Sequence, residues 1–157
     1  MLRREDDPAP CLPLHLESLL TLAGKDGDYS APTGGQAICL EYIESPRPVR
    51  LSFERSRVMP LYAGAASKIL LAFLDDRERK RTLAAAEGAV LENGRVISSA
   101  ELSAELTEIE KAGYCVSEGE VNVDTVDVAA PVFRRRRLVA GLTVAGPSRR
   151  FTNEYLS

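Results

Sequence analysis

Two polar side chains stand inside otherwise apolar runs of this sequence. Asp127 interrupts Val126-Asp127-Val128-Ala129-Ala130-Pro131-Val132-Phe133, and Thr143 sits in Leu142-Thr143-Val144-Ala145. A carboxylate and a hydroxyl of this kind can hold a ligand by charge and hydrogen bonds, but alone they do no covalent chemistry. Stronger reagents are missing or scattered. There is no G-x-S-x-G segment, and the single histidine, His15, lies on the polar side of a helical pattern. One imidazole is too few for a triad or a metal site. Cys11, Cys39 and Cys115 are far apart with no CxxC, so they support neither a disulfide framework nor a zinc site and read as reduced thiols. Thiol redox catalysis would need an accessible thiol of low pKa. Neither Cys39 nor Cys115 has a basic neighbour in sequence to supply one. Arg134 to Arg137 suggests phosphate contact, but a basic hairpin turn without interleaved aromatics reads better as a solvated tip. Lys68, on a helix, reads as a surface lysine with its stem laid along the protein.

The strands carrying the two polar residues alternate. In Leu138 to Ala145 one face holds Leu138, Ala140, Leu142 and Val144, enough to pack on helices, and the other holds Val139, Gly141, Thr143 and Ala145. In Val126 to Phe133, Asp127 shares a face with Ala129, Pro131 and Phe133, opposite Val126, Val128, Ala130 and Val132. A face of small residues leaves space, and a carboxylate turned toward that space needs a partner or water. Apolar walls with a few polar groups are how a small-molecule cavity looks in sequence. The alternative is a solvent-facing strand with an ordinary surface carboxylate.

The elements that must position these faces follow from periodicity. Residues 1–11 read as a disordered lead, and 12–157 as one domain, a normal size for a single core. Helical spacing runs from Leu12 to Ala23. Gly24 to Gly35 reads as turns with at most a weak strand, and strands are expected over Ala37 to Ile43 and Val49 to Phe53. Helices follow over Ala63 to Leu74, from the Asp75 N-cap to about Ala86, and from the Ser98 cap with Leu102, Leu106 and Ile109 as core stripe to the Gly113 stop. Strands close the chain over Cys115 to Val123, Val126 to Phe133 and Leu138 to Ala145. That order predicts an α+β fold with an antiparallel central sheet and helices on one side. The net charge of −3 gives no global attraction to nucleic acid or anionic membrane. No signal-peptide core and no apolar run of about 18 residues is present, so the sequence reads as cytoplasmic.

Four stretches in order resemble the effector domain of IclR-type bacterial transcriptional regulators, which has a GAF-like fold. They are Met59-Pro60-Leu61-Tyr62-Ala63-Gly64-Ala65-Ala66-Ser67-Lys68-Ile69-Leu70-Leu71-Ala72, Ser98 through Tyr114, Val126 through Phe133, and Leu142-Thr143-Val144-Ala145-Gly146-Pro147. The resemblance implies a sensor that binds a small effector and passes the signal to a winged helix-turn-helix. No such segment precedes Leu12, so the chain reads as the sensor half alone. The resemblance places effector contacts at Ala65, Ala66, Ser117, Asp127, Thr143 and Ala145. It further implies a homo-oligomer, dimer or tetramer, with no cofactor, no metal and no catalytic residue. At the start of the helix, N–H groups near Ala65 and Ala66 could donate to a ligand oxygen.

The sequence departs from its relatives where contacts matter. Ser117 stands where relatives place an acid, Asp127 where some place cysteine, and Ala145 where a hydroxyl is common. An ionised Asp127 would repel a small carboxylate effector, so a neutral, hydroxyl- or amine-bearing effector that donates to Asp127 is expected. Two other readings remain open at this level: a GAF-like thiol redox enzyme and a pure oligomerisation module.

Overall fold

The computed structural model describes residues 26–45 and 56–151. The disorder expected over residues 1–11, the helix expected over Leu12 to Ala23 and the strand expected over Val49 to Phe53 lie outside the described residues. Within them the chain forms strands β1 (Asp26–Thr33), β2 (Gln36–Ile43) and β3 (Val58–Pro60), then helices α1 (Ala65–Phe73), α2 (Asp76–Ala86) and α3 (Ser99–Ala112). Strands β4 (Cys115–Glu118), β5 (Thr125–Arg134) and β6 (Arg137–Pro147) and a short 3-10 turn, Ser148–Arg150, follow. All six strands belong to one antiparallel sheet in the order β3-β2-β1-β6-β5-β4. Helix α1 lies on the sheet, and α2 and α3 pack beside it. The architecture is α+β, as the pattern of elements predicts.

The helix ends follow the capping signals. Asp75 accepts the Arg77 and Glu78 N–H groups at 3.0 Å each. Ser98 accepts from Glu101 at 3.5 Å, and the Gly113 N–H closes α3 on the Ile109 carbonyl. Leu102, Leu106 and Ile109 enter the core with Leu61, Ile69, Leu70 and Leu71 of the α1 segment. The turn between β5 and β6 is made by Arg135 and Arg136, both exposed and both at positive φ (46° and 66°), which matches the twist of the strands. Arg135, Arg136 and Arg137 thus form a solvated hairpin tip, with Arg134 half-buried at its base.

Three expectations about the sheet fail, each for a physical reason. Gly24 to Gly35 is not mainly turn: Asp26–Thr33 within it is β1, an eight-residue strand in the middle of the sheet. Asp26, Asp28 and Ser30 are buried along one of its faces, so apolar alternation never shows. The strand expected to run to Val123 stops at Glu118, where Gly119 turns the chain at φ 64° into a loop.

The third failure is the side of β6 that meets the helices. Ala140 and Leu142 pack with Tyr29, Ile43 and Val132 in a second cluster, separate from the helical core. The small residues are the ones that face α1. A Cβ on Gly141 would sit 2.8 Å from Ile69 Cγ2 and 3.5 Å from the Ala66 carbonyl oxygen. Here smallness admits the helix before it leaves any space. Only Leu138 keeps its expected helical-core contacts, across a register shift between β5 and β6 that begins at Val132/Phe133. Gly141→Ala is expected to push α1 off the sheet and cost about 1–3 kcal/mol in urea unfolding, in the range of other overpacked cores. A loss below about 0.5 kcal/mol would mean the helix yields without strain.

Candidate functional site

Cross-strand register sets the site. On the sheet face beneath α1, one row runs Asp26, Ala145, Asp127, Ser117 across β1, β6, β5 and β4, and the next runs Asp28, Thr143, Ala129, Cys115. The polar members of these rows are mostly buried: Asp28 is 6% exposed, Ser117 3% and Thr143 2%. Burying such groups costs free energy unless they find partners, so two rows of them point to a site.

The N-terminus of α1 is aimed at these rows. Gly64, at φ 85°, precedes the helix and offers no side-chain cap. Two carboxylates from elsewhere supply it. Asp127 Oδ2 accepts the Ala65 N–H at 2.6 Å, and Glu120 Oε2 accepts the Gly64 N–H at 2.9 Å. A Cβ on residue 64 would meet Val121 Cγ2 at 2.9 Å and Asp127 Oδ2 at 3.5 Å, so only glycine fits this turn. The first helical N–H, expected to be open to a ligand oxygen, is therefore taken by the chain's own Asp127. The arrangement is an anion site occupied from within.

Behind Glu120 stands a second group of charges. Lys68 is 1% exposed, not a surface lysine as its sequence position suggests. Its ammonium reaches Glu120 at 2.8 Å and Glu105 of α3 at 2.5 Å. Arg95 joins both acids, 3.0 Å from Glu105 and 3.5 Å from Glu120. Burial disfavours the charged ammonium, but the adjoining acids outweigh it and raise the Lys68 pKa. Helix α1, helix α3 and the loop after β4 are thus tied at one point.

Between these parts lies a small cavity of about 20 Å³, walled by Asp28, Ala66, Asp127, Thr143 and Ala145 and bounded by Met59, Val121 and Asn122. That volume holds about one water. Of the residues expected in an effector site, Ala66, Asp127, Thr143 and Ala145 line it; Ala65 and Ser117 flank Asp127 from behind. Asp28, Gly64, Glu120 and Val121 were not foreseen. The i, i+2 spacing of Asp26 and Asp28 on a strand was the one available signal, obscured by the glycine between them.

The acids here hold their protons more tightly than usual. Burial pushes Asp28 up to about 7, with neighbouring Asp127 adding to the rise and Ser30 opposing it through a 2.7 Å bond. Burial also raises Asp127 to about 6, against the lowering effect of the Ala65 N–H and the nearby Ser117 hydroxyl. The hydroxyls of Ser117 and Thr143 lie beside these acids, yet neither makes a hydrogen bond of normal geometry. Thiol chemistry finds no support in this site. Cys115 is buried, and desolvation drives its thiol up to about 12 despite the proximity of Lys68. Cys39 is buried with its thiol on the Glu41 carbonyl at 3.4 Å. In a Cys11→Ser variant, neither thiol should react with a chromogenic thiol reagent at neutral pH until the chain is unfolded; rapid labelling of Cys115 in the folded state would restore the redox reading. Among the described residues no cluster of His, Cys, Asp and Glu has metal-holding geometry, and no helix is long and apolar enough to cross a membrane.

Comparison with known proteins gives one consistent result. A family model described as bacterial transcriptional regulator IclR C-terminal matches residues 12–157. The chain is 35% identical over 124 residues to the HTH-type transcriptional regulator KipR of Bacillus subtilis, covering 78% of this chain and 50% of that protein. It is 31% identical over 120 residues to KdgR of Escherichia coli, covering 76% of this chain and 46% of that protein. The chain therefore spans about half the length of these curated relatives. The solved C-terminal domain of E. coli KdgR superposes with a TM-score of 0.78 at 27% identity, over 92% of this chain and 84% of that one. An IclR homologue from Microbacterium hydrocarbonoxydans, complexed with 4-hydroxybenzoate, superposes with a TM-score of 0.83 at 19% identity, over 92% of this chain and 60% of that one; it shares the fold.

Proposed function

Since the chain belongs to the family of IclR C-terminal domains of bacterial transcriptional regulators, we propose that it is the effector-sensing domain of such a regulator, with no catalytic activity of its own. The observation that carries this reading is the cavity at the start of α1, lined by Asp28, Asp127 and the buried Thr143 hydroxyl, with Ser117 beside Asp127 on the neighbouring strand. We assign effector contact to Asp127, Thr143 and Ala145 on the sheet and to Ala65 and Ala66 on the helix, with Ser117 holding Asp127 from β4. DNA contact belongs to a winged helix-turn-helix outside this chain, and the working location is the cytoplasm. The domain acts by self-association, as a dimer or tetramer whose arrangement the effector biases by no more than its differential affinity for the alternatives.

A cavity of one water's volume cannot enclose a metabolite, so binding requires the loop around Val121 and Asn122 to move outward. That loop is bordered by the Glu120 contact to Gly64, which makes its position sensitive to what occupies the start of α1.

The test is an unbiased one. Small molecules that co-purify with the domain are identified, and the amide resonances they perturb are mapped. Shifts centred on Ala65, Thr143 and Ala145 are expected. Shifts confined instead to the open groove between Gly34-Gly35, Leu61-Tyr62 and Arg81, about 240 Å³ in volume, would move the effector site elsewhere.

A further inference from the structure

Resting on the effector-site reading, we propose that this cavity selects a ligand through a primary ammonium group, bound between Asp28 and Asp127 and topped by the Thr143 hydroxyl, and that it rejects small carboxylates. Ammonium carries three donors and no acceptor, so it needs three acceptors converging on a water-sized space. The cavity supplies that number. Asp28 accepts from Ser30 and Asp127 Oδ2 from the Ala65 N–H, while the Thr143 and Ser117 hydroxyls lie close to the same two acids, and both carboxylates line the space. Thr143, paired directly with Asp28 across β1 and β6, is 2% exposed, lines the cavity, and holds its hydroxyl beside the Asp28 carboxyl without a hydrogen bond of normal geometry. A buried hydroxyl that turns its proton toward a neighbouring acid keeps its lone pairs for an incoming donor.

The volume agrees. About 20 Å³ accommodates one water, and an ammonium head is of similar size. The body of the ligand would then leave past Met59 and Val121, an apolar exit suited to a hydrocarbon or aromatic tail. Charge agrees as well. Asp28 and Asp127 line the space, Glu120 caps the neighbouring Gly64, Asp26 lies two strands from Asp127 across Ala145, and the nearby cation, Lys68, is already engaged by Glu105 and Glu120. A carboxylate ligand would need the helix N–H that Asp127 occupies and would meet repulsion on arrival. Both acids titrate close to neutrality, so an incoming cation also stabilises their ionised forms.

The experiment compares matched trios on the whole chain: phenethylamine, phenethyl alcohol and phenylacetate, and butylamine, butanol and butyrate, by calorimetry at pH 8. The amines are expected to bind saturably, with the acids at least about a hundredfold weaker. Asp28→Asn and Asp127→Asn should each weaken amine binding at least about tenfold, and Thr143→Val by a smaller factor. Thermal melting confirms that each variant is folded, and the wild-type comparison of amine against acid needs no variant at all. Saturable binding of the carboxylates in preference to the amines overturns the charge assignment. No saturable binding of either amine, or amine binding indifferent to both Asn substitutions, does the same. The site reading fails separately: a carboxylate that binds and shifts the Thr143 and Ala145 amides leaves the site standing without its charge preference, whereas ligands that shift only the Gly34-Gly35 groove remove the site itself.

Discussion

Lys68→Met is expected to destabilise the domain by about 3–5 kcal/mol, the range for removing one partner of a buried ion pair. Methionine keeps the length and apolar stem of lysine, so packing against the α1 core is preserved and the loss reads charge. What it leaves behind is Glu120, 6% exposed, facing Arg95 at 3.5 Å and the Gly64 N–H at 2.9 Å. Glu105 fares better, because Arg95 holds it at 3.0 Å and it is only half-buried. The penalty therefore concentrates on Glu120, and the double variant Lys68→Met/Glu120→Gln should recover a large part of it. Glutamine keeps an oxygen for the Gly64 N–H while removing the stranded charge. For a domain of this size the single variant should melt on the order of 10 °C below wild type. Equal losses in the single and double variants would show that packing of the lysine stem, and not its charge, holds α1 to α3.

Lys68 also shows where sequence reading stops. The two helices that follow its own were legible, because Asp75 and Ser98 carry local capping chemistry and Leu102, Leu106 and Ile109 recur at helical spacing. The alternation that puts Asp127, Thr143 and Ala145 on common faces was legible too, since a strand has period two whatever packs on it. Which side of the sheet faces the helices was not. That choice depends on how closely α1 approaches Gly141, and an apolar face of Leu and Val reads as the helical side when it is the opposite one. The resemblance to IclR-type domains pointed to residues that the register brings together around the candidate site. Asp28 and Glu120 escaped for the same reason as Lys68: a charged side chain in a glycine-rich segment or before a polar loop carries the local signature of surface. Their burial comes from partners 56 to 115 positions distant, such as Gly64 for Glu120 and Thr143 for Asp28, and no window of sequence contains both members.

Asp28→Asn is expected to make the domain more stable at pH 8 and to leave it nearly unchanged near pH 4. Asp28 titrates near 7 in the folded chain, against an ordinary 3.8 when solvated, because burial disfavours its charged form. The folded state therefore binds a proton that the unfolded state has released across that interval, and stability falls as pH rises through it. Below about 4 both states are protonated and the carboxyl exacts no penalty; above about 7 both are ionised and the folded state carries the full cost of a buried charge. At about 1.4 kcal/mol per pH unit that cost is on the order of 4 kcal/mol. Asparagine matches the carboxyl in shape, still accepts from Ser30 and never ionises. The difference between variant and wild type, measured by urea unfolding across pH 4 to 8, should thus grow steadily with pH. Asp127 titrates near 6 and should add a smaller dependence of the same sign. If an amine seats beside Asp28, its addition at pH 8 should return the lost stability to wild type but not to Asp28→Asn. A difference that stays flat with pH would mean that Asp28 is ionised at ordinary cost in the folded chain, and the argument for a cation seated beside it would lose its energetic support.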